Sequence, residues 1–399
     1  MRTTLYEKVF IDGFHKPSYV VATLTLDALP PVDRLRGAIE RTLERHPRLR
    51  SLVRYRWGVP VELKPVRVLD WFERGGVREL PPGDLHAFEE RLLGTPLDMR
   101  WELPLEVYAA SSPARLVLKV HHAVFDATSG FGLLRDFAQA LAGEAFAPRA
   151  ARKSTPAKRG LTWLRGVQLR PRVPAVSLLA DYQPQGPLPR EPVVFLERSL
   201  PHAQAARHAR ALGVTVSQLI ASALLSAMNA YNTAHFEAPP EDVGMMFVRA
   251  RPRLGAASAS FQADTCVVSV PRRQIVRGHH PDTLAELQRA ARATGHNDVA
   301  LAALYLDRKI RGRDTRPSRQ TSLHVTLSDV TSFGRTLRPG GVLGLRDLRI
   351  RSSPTSFDHA GMMVSRFADE LRFVVIAHRR ALDLDALLTA TLALLEPGS

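Results

Sequence analysis

Hydrophobic and polar positions alternate in blocks that switch between a period of two and a period near 3.6. Residues 19–26 (YVVATLTL) form a β-branched, apolar run and predict a strand. After Pro30 and Pro31, Val32, Leu35, Ile39 and Leu43 fall at helical spacing, with Arg and Glu on the other face. Pro47 ends that helix, because the residue before a proline is pushed out of helical geometry. Residues 52–57 predict a second strand, and 84–93 a short helix with an acidic start. Residues 105–110 and 115–120 predict a hairpin joined by Ser111, Ser112, Pro113 and Ala114. In its second arm Leu116, Leu118 and Val120 alternate with Arg115, Val117 and Lys119. That arm runs into His121 and His122. A helix follows, starting near Thr128 or Ser129 and ending before Gly143, with Phe131, Leu134, Phe137 and Leu141 on its buried face.

Residues 145–192 break the pattern. Proline is frequent there, and Arg149, Arg152, Lys153, Lys158, Arg159, Arg165, Arg170 and Arg172 come with no acid before Asp181. The segment reads as a basic crossover, either a solvated linker or a site for phosphates or anionic lipid. Beyond it come a strand at 193–196, an alanine-rich helix at 203–212 and a strongly apolar helix from Thr215 to Tyr231, expected to be central. Strands follow at 244–248, 265–270, 322–328, 348–351, 362–367 and 371–377, the last two joined by a tight turn at Ala368, Asp369 and Glu370. Asp282 caps one further helix, and 383–395 is a closing one. The summary is an α/β (α+β) chain in two halves, 1–178 and 179–399, each a sheet with helices packed on it.

Composition narrows the classes. A chain of 399 residues is long enough for two domains, and 45% apolar with 24% charged residues is a globular balance. Fifty-five Lys and Arg against 39 Asp and Glu give a formal charge of +16, which suits acidic partners: nucleotide phosphates, an acidic carrier protein or an anionic membrane surface. Nucleic acid is not expected, for want of a recognition motif or interleaved aromatic and basic residues. One cysteine, Cys266, excludes an internal disulfide and a multi-thiolate zinc site. No apolar run approaches a membrane span, and residues 1–7 lack the core of a signal peptide. A cytoplasmic protein is expected, with a peripheral membrane association compatible with the charge.

The string with chemical content is His121-His122-Ala123-Val124-Phe125-Asp126, where a strand ends and a helix begins. A histidine there can take a proton from a hydroxyl or amine near neutral pH. It must be held in one orientation, and a carboxylate four residues on can tie the loop back on itself or pair with a basic residue elsewhere. A metal site is not expected: adjacent histidines on an extended chain point apart, and no ligand spacing accompanies them. His279-His280, before Pro281, reads as a loop leading to the Asp282 cap.

This HHxxxD string after a hydrophobic strand resembles the signature of the chloramphenicol acetyltransferase-like superfamily, which includes condensation domains, polyketide-associated acyltransferases and bacterial wax ester synthase/diacylglycerol acyltransferases. His46-Pro47-Arg48-Leu49-Arg50, Pro104-Leu105, the run 213–218 (GVTVSQ) and Ser328-Asp329-Val330 are similar to further elements of that group. The resemblance implies a two-lobed fold, each lobe a mixed sheet packed with helices, with an active-site tunnel between them. It implies an acyltransferase in which His122 is the general base, His121 and Asp126 are structural, and no acyl-enzyme forms. Ser328 or Thr326 is the expected oxyanion or substrate contact. The co-substrate is acyl-CoA or an acyl-carrier thioester, the acceptor an alcohol or amine, and no cofactor is held permanently.

Two alternatives stand beside this. A carrier-protein-dependent, condensation-like transferase suits the charge, although the DFGWG string of condensation domains is absent. A non-catalytic binding protein on the same fold is motivated by two departures, Ala127 where the group has glycine and Asp329 where wax ester synthase-like members have asparagine.

Overall fold

The computed structural model describes residues 19–146, 193–249, 264–275, 324–331, 344–353, 358–378 and 383–396, except 96, 126, 236 and 240, together with residues 1, 3, 7, 8, 11 and 340. The basic crossover from residue 147 on, the Asp282 helix and His279-His280 lie outside the described residues.

In chain order the elements are β1 (Tyr19–Leu26), α1 (Val32–Arg45), β2 (Ser51–Arg56), β3 (Val59–Pro65), α2 (Val68–Glu73), β4 (Val77–Glu79), α3 (Leu85–Gly94), β5 (Leu105–Ser111), β6 (Ala114–His121) and α4 (Ala127–Leu141). There follow β7 (Val193–Pro201), α5 (His202–Ala211), α6 (Val216–His235), β8 (Asp242–Arg249), β9 (Asp264–Pro271), β10 (His324–Asp329), β11 (Leu345–Ser352), β12 (Asp358–Phe367), β13 (Glu370–His378) and α7 (Leu384–Ala393). Chain contacts divide these into two units. One comprises Met1–Ser154, Ala250–Ala263 and Phe333–Ser353; the other comprises Thr155–Arg249, Asp264–Ser332 and Pro354–Ser399.

The first unit is built on a five-stranded sheet in the order β11-β1-β6-β5-β4. All its pairings are antiparallel except β4 with β5. β11 therefore belongs to this sheet, although a division at residue 178 places its sequence in the second half. The cause is side-chain chemistry. Arg351 of β11 is 1% exposed and its Nη1 meets Glu89 Oε1 of α3 at 2.6 Å, while Thr23 of β1 donates its hydroxyl to the same oxygen. β6 runs between β1 and β5 and is buried from Leu116 to His121. The expected polar side of that strand is thus absent: Lys119 is 3% exposed.

α1 and α4 pack together. Leu35, Ile39 and Leu43 of the expected stripe are buried, but Val32, in the first turn, is 79% exposed. The end of α1 meets α4 through polar groups. Asp136 of α4, buried, accepts from Arg45 Nε at 2.6 Å and pairs with His46 Nε2 at 3.0 Å, while its other oxygen meets Arg135. Burial alone would raise that carboxyl's pKa. Hydrogen bonds from His46, Arg45 and Arg135 outweigh it and hold the group well below the usual carboxylate range. A folded-state pKa lowered in this way contributes stability above the unfolded value near pH 4 and loses it as pH falls further. Asp136→Asn is therefore expected to cost about 3 kcal/mol at pH 7, as breaking a buried ion pair does. In denaturant titrations the gap from wild type should narrow below about pH 4.

The second unit holds a six-stranded sheet in the order β7-β13-β12-β10-β8-β9. β10 runs parallel to both neighbours, β12 and β8, and the remaining pairs are antiparallel. On one face α6 and α7 enclose a core with Val325, Leu327, Met362, Val364, Phe373 and Val375. α6 opens on a capping box, in which Gln218 N–H donates to Thr215 Oγ1 at 3.2 Å and Thr215 N–H to Gln218 Oε1 at 3.0 Å. Every residue from Leu219 to Met228 is buried, as a helix apolar all round requires. Among the described residues no single helix is long and apolar enough to cross a membrane.

Candidate active site

β6 delivers His121 and His122 at its C-terminal end. His121 is the last residue of the strand, paired across the ladder with Tyr19 of β1, and its backbone N–H donates to Pro104 O at 2.8 Å. The chain then turns through a short three-ten helix, His122–Val124, before α4. That turn has a built-in cap: His121 Nδ1 accepts the Ala123 backbone N–H at 3.1 Å. The bond fixes the tautomer. A neutral imidazole that accepts at Nδ1 carries its proton on Nε2.

His121 also stays neutral. It is 5% exposed, and burial pushes its pKa down to about 3, helped by His122 and by the Lys119 ammonium. The ring is therefore neutral near pH 7. His122, the next residue, is half-buried, with its Nδ1 sealed from solvent. The two histidines are thus placed differently: one locked inside the sheet, the other on the turn.

The rest of the loop is fixed by packing. Phe125 is 4% exposed and lies against Gly130 of α4, where a Cβ would stand 2.5 Å from its Cζ. Only glycine at 130 leaves room for that ring. The expected structural carboxylate, Asp126, lies outside the described residues. Tyr19, Lys119 and Gly130 are contributors that the periodicity did not single out; Gly130, five residues after a large aromatic in a turn, was the readable signal.

Thr326 and Ser328 belong to the second unit. Because strand side chains alternate, they share the face of β10 opposite Val325 and Leu327 of the helix-covered core. Thr326 is 8% exposed, and its Oγ1 has no hydrogen-bond partner among the described residues. Ser328 is half-buried. In the ladder Thr326 stands beside Gly361 of β12, which in turn faces Ile376 of β13. The unsatisfied hydroxyl thus neighbours a position without a side chain. A Cβ at Gly361 would meet Ile376 Cγ2 at 3.4 Å, an ordinary contact, so packing does not demand glycine there. Asp329 ends the strand in a turn: its Oδ1 accepts from Thr331 N–H at 2.9 Å and from Thr331 Oγ1 at 2.7 Å. An aspartate supplies the acceptor that an asparagine would, so this departure keeps the turn.

No family model and no curated protein matches the chain. Solved structures do. Polyketide synthase associated protein 5 from Mycobacterium tuberculosis superposes with a TM-score of 0.66 at 18% identity, over 99% of this chain and 96% of that one. The trichothecene 15-O-acetyltransferase of Fusarium sporotrichioides gives 0.68 at 10% identity, over 99% and 94%. The chain has the chloramphenicol acetyltransferase-like fold. The first condensation domain of the calcium-dependent antibiotic synthetase, solved with a substrate analogue, shares it as well, at a TM-score of 0.64, 15% identity and coverage of 99% and 95%. The chloramphenicol acetyltransferase-like fold thus links this chain to both acyltransferases and condensation domains, with two mixed sheets packed by helices.

Proposed function

We propose that the protein is an acyltransferase that moves an acyl group from acyl-CoA to a hydroxyl or amine acceptor, with His122 as general base. The observation that carries this reading is the division of labour in the histidine pair: His121 is committed to Ala123 N–H and held neutral, and His122 follows it on a capped turn.

In the proposed reaction His122 takes the acceptor's proton as its oxygen or nitrogen attacks the thioester carbonyl. The carbonyl π electrons move onto oxygen, giving a tetrahedral oxyanion. A hydroxyl donor on β10, Ser328 or Thr326, would stabilise that charge. Collapse breaks the carbon–sulfur bond, and the departing CoA thiolate recovers the proton from the His122 imidazolium. Acceptor and thioester become ester or amide and thiol, and the enzyme returns unchanged. Asp126 would be structural, paired with an arginine, as the resemblance implies. The formal charge of +16 is compatible with CoA phosphates, and equally with an acidic carrier protein as thioester source.

The test is thiol release from acyl-CoAs of graded chain length, with and without a panel of alcohols and amines. Acceptor-dependent release with a matching acylated product supports the reading. Release from an acylated carrier protein alone would move it to the condensation-like alternative, and a complete lack of transfer from either donor would favour a binding protein.

A further inference from the structure

Lys119 is a buried cation for which the proposed reaction has no use. It lies two residues before His121, on the same face of β6. Its Nζ donates to Thr95 O at 3.2 Å and stands 4.3 Å from the centroid of the Tyr19 ring. Tyr19, 1% exposed, is gripped on every side: its backbone N–H donates to Ser353 Oγ at 2.7 Å, its carbonyl accepts from Ser353 N–H at 2.8 Å, and its hydroxyl bonds the Leu97 backbone. Its ring meets His121 in a T-shaped contact, with centroids 5.3 Å apart and planes at 90°. The contacts form one line: Lys119 ammonium, Tyr19 ring, His121 ring, Ala123 N–H, His122 turn.

We propose that Lys119 is a positioning residue for His122: its ammonium on the Tyr19 ring holds that ring against His121, and so keeps His121 in the one rotamer and tautomer that caps the turn. The proposal rests on the reading of His122 as the base. A cation over an aromatic face is attracted by the ring quadrupole, and more strongly when desolvated.

Other charges bear on the same line. Burial lowers the Lys119 pKa; the carboxylates of Glu106 of β5, 3.8 Å away, and of Glu102 oppose this, and Arg78 adds to it. His122 and Lys119 act on His121 from its own strand and turn, and Tyr19 faces it from β1. A cation buried beside a histidine also favours that histidine's neutral form, which the cap at Nδ1 requires.

Lys119→Gln tests this, because glutamine can still donate to Thr95 O but carries no charge. Histidine-ring 15N spectra of the full chain should show wild-type His121 as a single Nε2–H tautomer that does not titrate down to pH 5. In Lys119→Gln, and in Lys119→Met as a second uncharged variant, a second tautomer or a titrating His121 is expected. The kcat for acyl transfer should fall about 10- to 100-fold with KM within about twofold, as for a misplaced catalytic group. Lys119→Arg, which restores the cation, should recover the single tautomer and most of kcat. An unchanged His121 spectrum in folded uncharged variants would overturn the proposal, as would an Nδ1–H tautomer in the wild type. If the wild type transfers no acyl group, the spectra alone decide the hold on His121, and the failure belongs to the His122 reading.

Discussion

His122→Ala is expected to lower acyl transfer by about 10²–10⁴-fold, the range that a positioned general base contributes, while the protein stays folded. Both halves of that expectation follow from the site. His122 is half-buried on a three-residue turn, and the bond that caps the turn comes from His121 Nδ1 to Ala123 N–H rather than from the His122 ring. His121→Ala should behave differently. It removes a ring that is 5% exposed and packed on Tyr19, together with the cap, so stability and activity should fall together. Steady-state kinetics beside thermal unfolding of the two variants separate these outcomes. A His122→Ala protein with undiminished kcat would take His122 out of the chemistry.

The second large effect concerns stability. Arg351→Met is expected to destabilise the protein by about 3–5 kcal/mol, because it leaves the Glu89 carboxylate buried without its main cation. Both side chains are 1% exposed and 2.6 Å apart, and they join β11 to α3 across more than half the sequence. Thr23 donates to the same carboxylate, so α3, β1 and β11 meet at one oxygen. β11 also places Ser353, whose Oγ and N–H bond the backbone of Tyr19 beside His121. A loosened β11 therefore reaches the histidine turn through Tyr19. Combining Arg351→Met with Glu89→Gln should recover more than about 1 kcal/mol relative to the sum of the single variants, since the pair is one interaction. Strict additivity in urea unfolding would mean that the two groups do not act together.

Elements whose own residues carry the signal were readable in the sequence. β1 occupies the span its β-branched run predicts, the β5–β6 hairpin turns where Ser112 and Pro113 suggest, and the four expected residues of α4 are buried. β3, α2 and β4 were not seen. β3 (VPVELKP) mixes two prolines and two charges into a strand, and β4 is three residues long. The pairing of β11 was hidden for a different reason. Its inward Arg351 reads as a solvent-facing residue until the distant Glu89 neutralises it, and Lys119 is masked in the same way by Tyr19, Thr95 and Glu106. His46 and Asp136, 90 residues apart, could not be joined from spacing alone. The histidine string itself was legible because its chemistry and its strand-to-helix setting are local. The tautomer of His121 was not, because it depends on where one backbone N–H comes to lie.

The central claim is direct transfer from thioester to acceptor with His122 as the base. The most direct measurement is single-turnover mixing of the protein with a stoichiometric acyl-CoA it accepts, with and without acceptor, followed by thiol quantitation and intact-protein mass. Thiol release only when acceptor is present, no acyl mass added to the protein, and loss of that release in His122→Ala are the predicted results. A stoichiometric acyl adduct on the protein, or acceptor-dependent release at full rate in His122→Ala, would contradict the account.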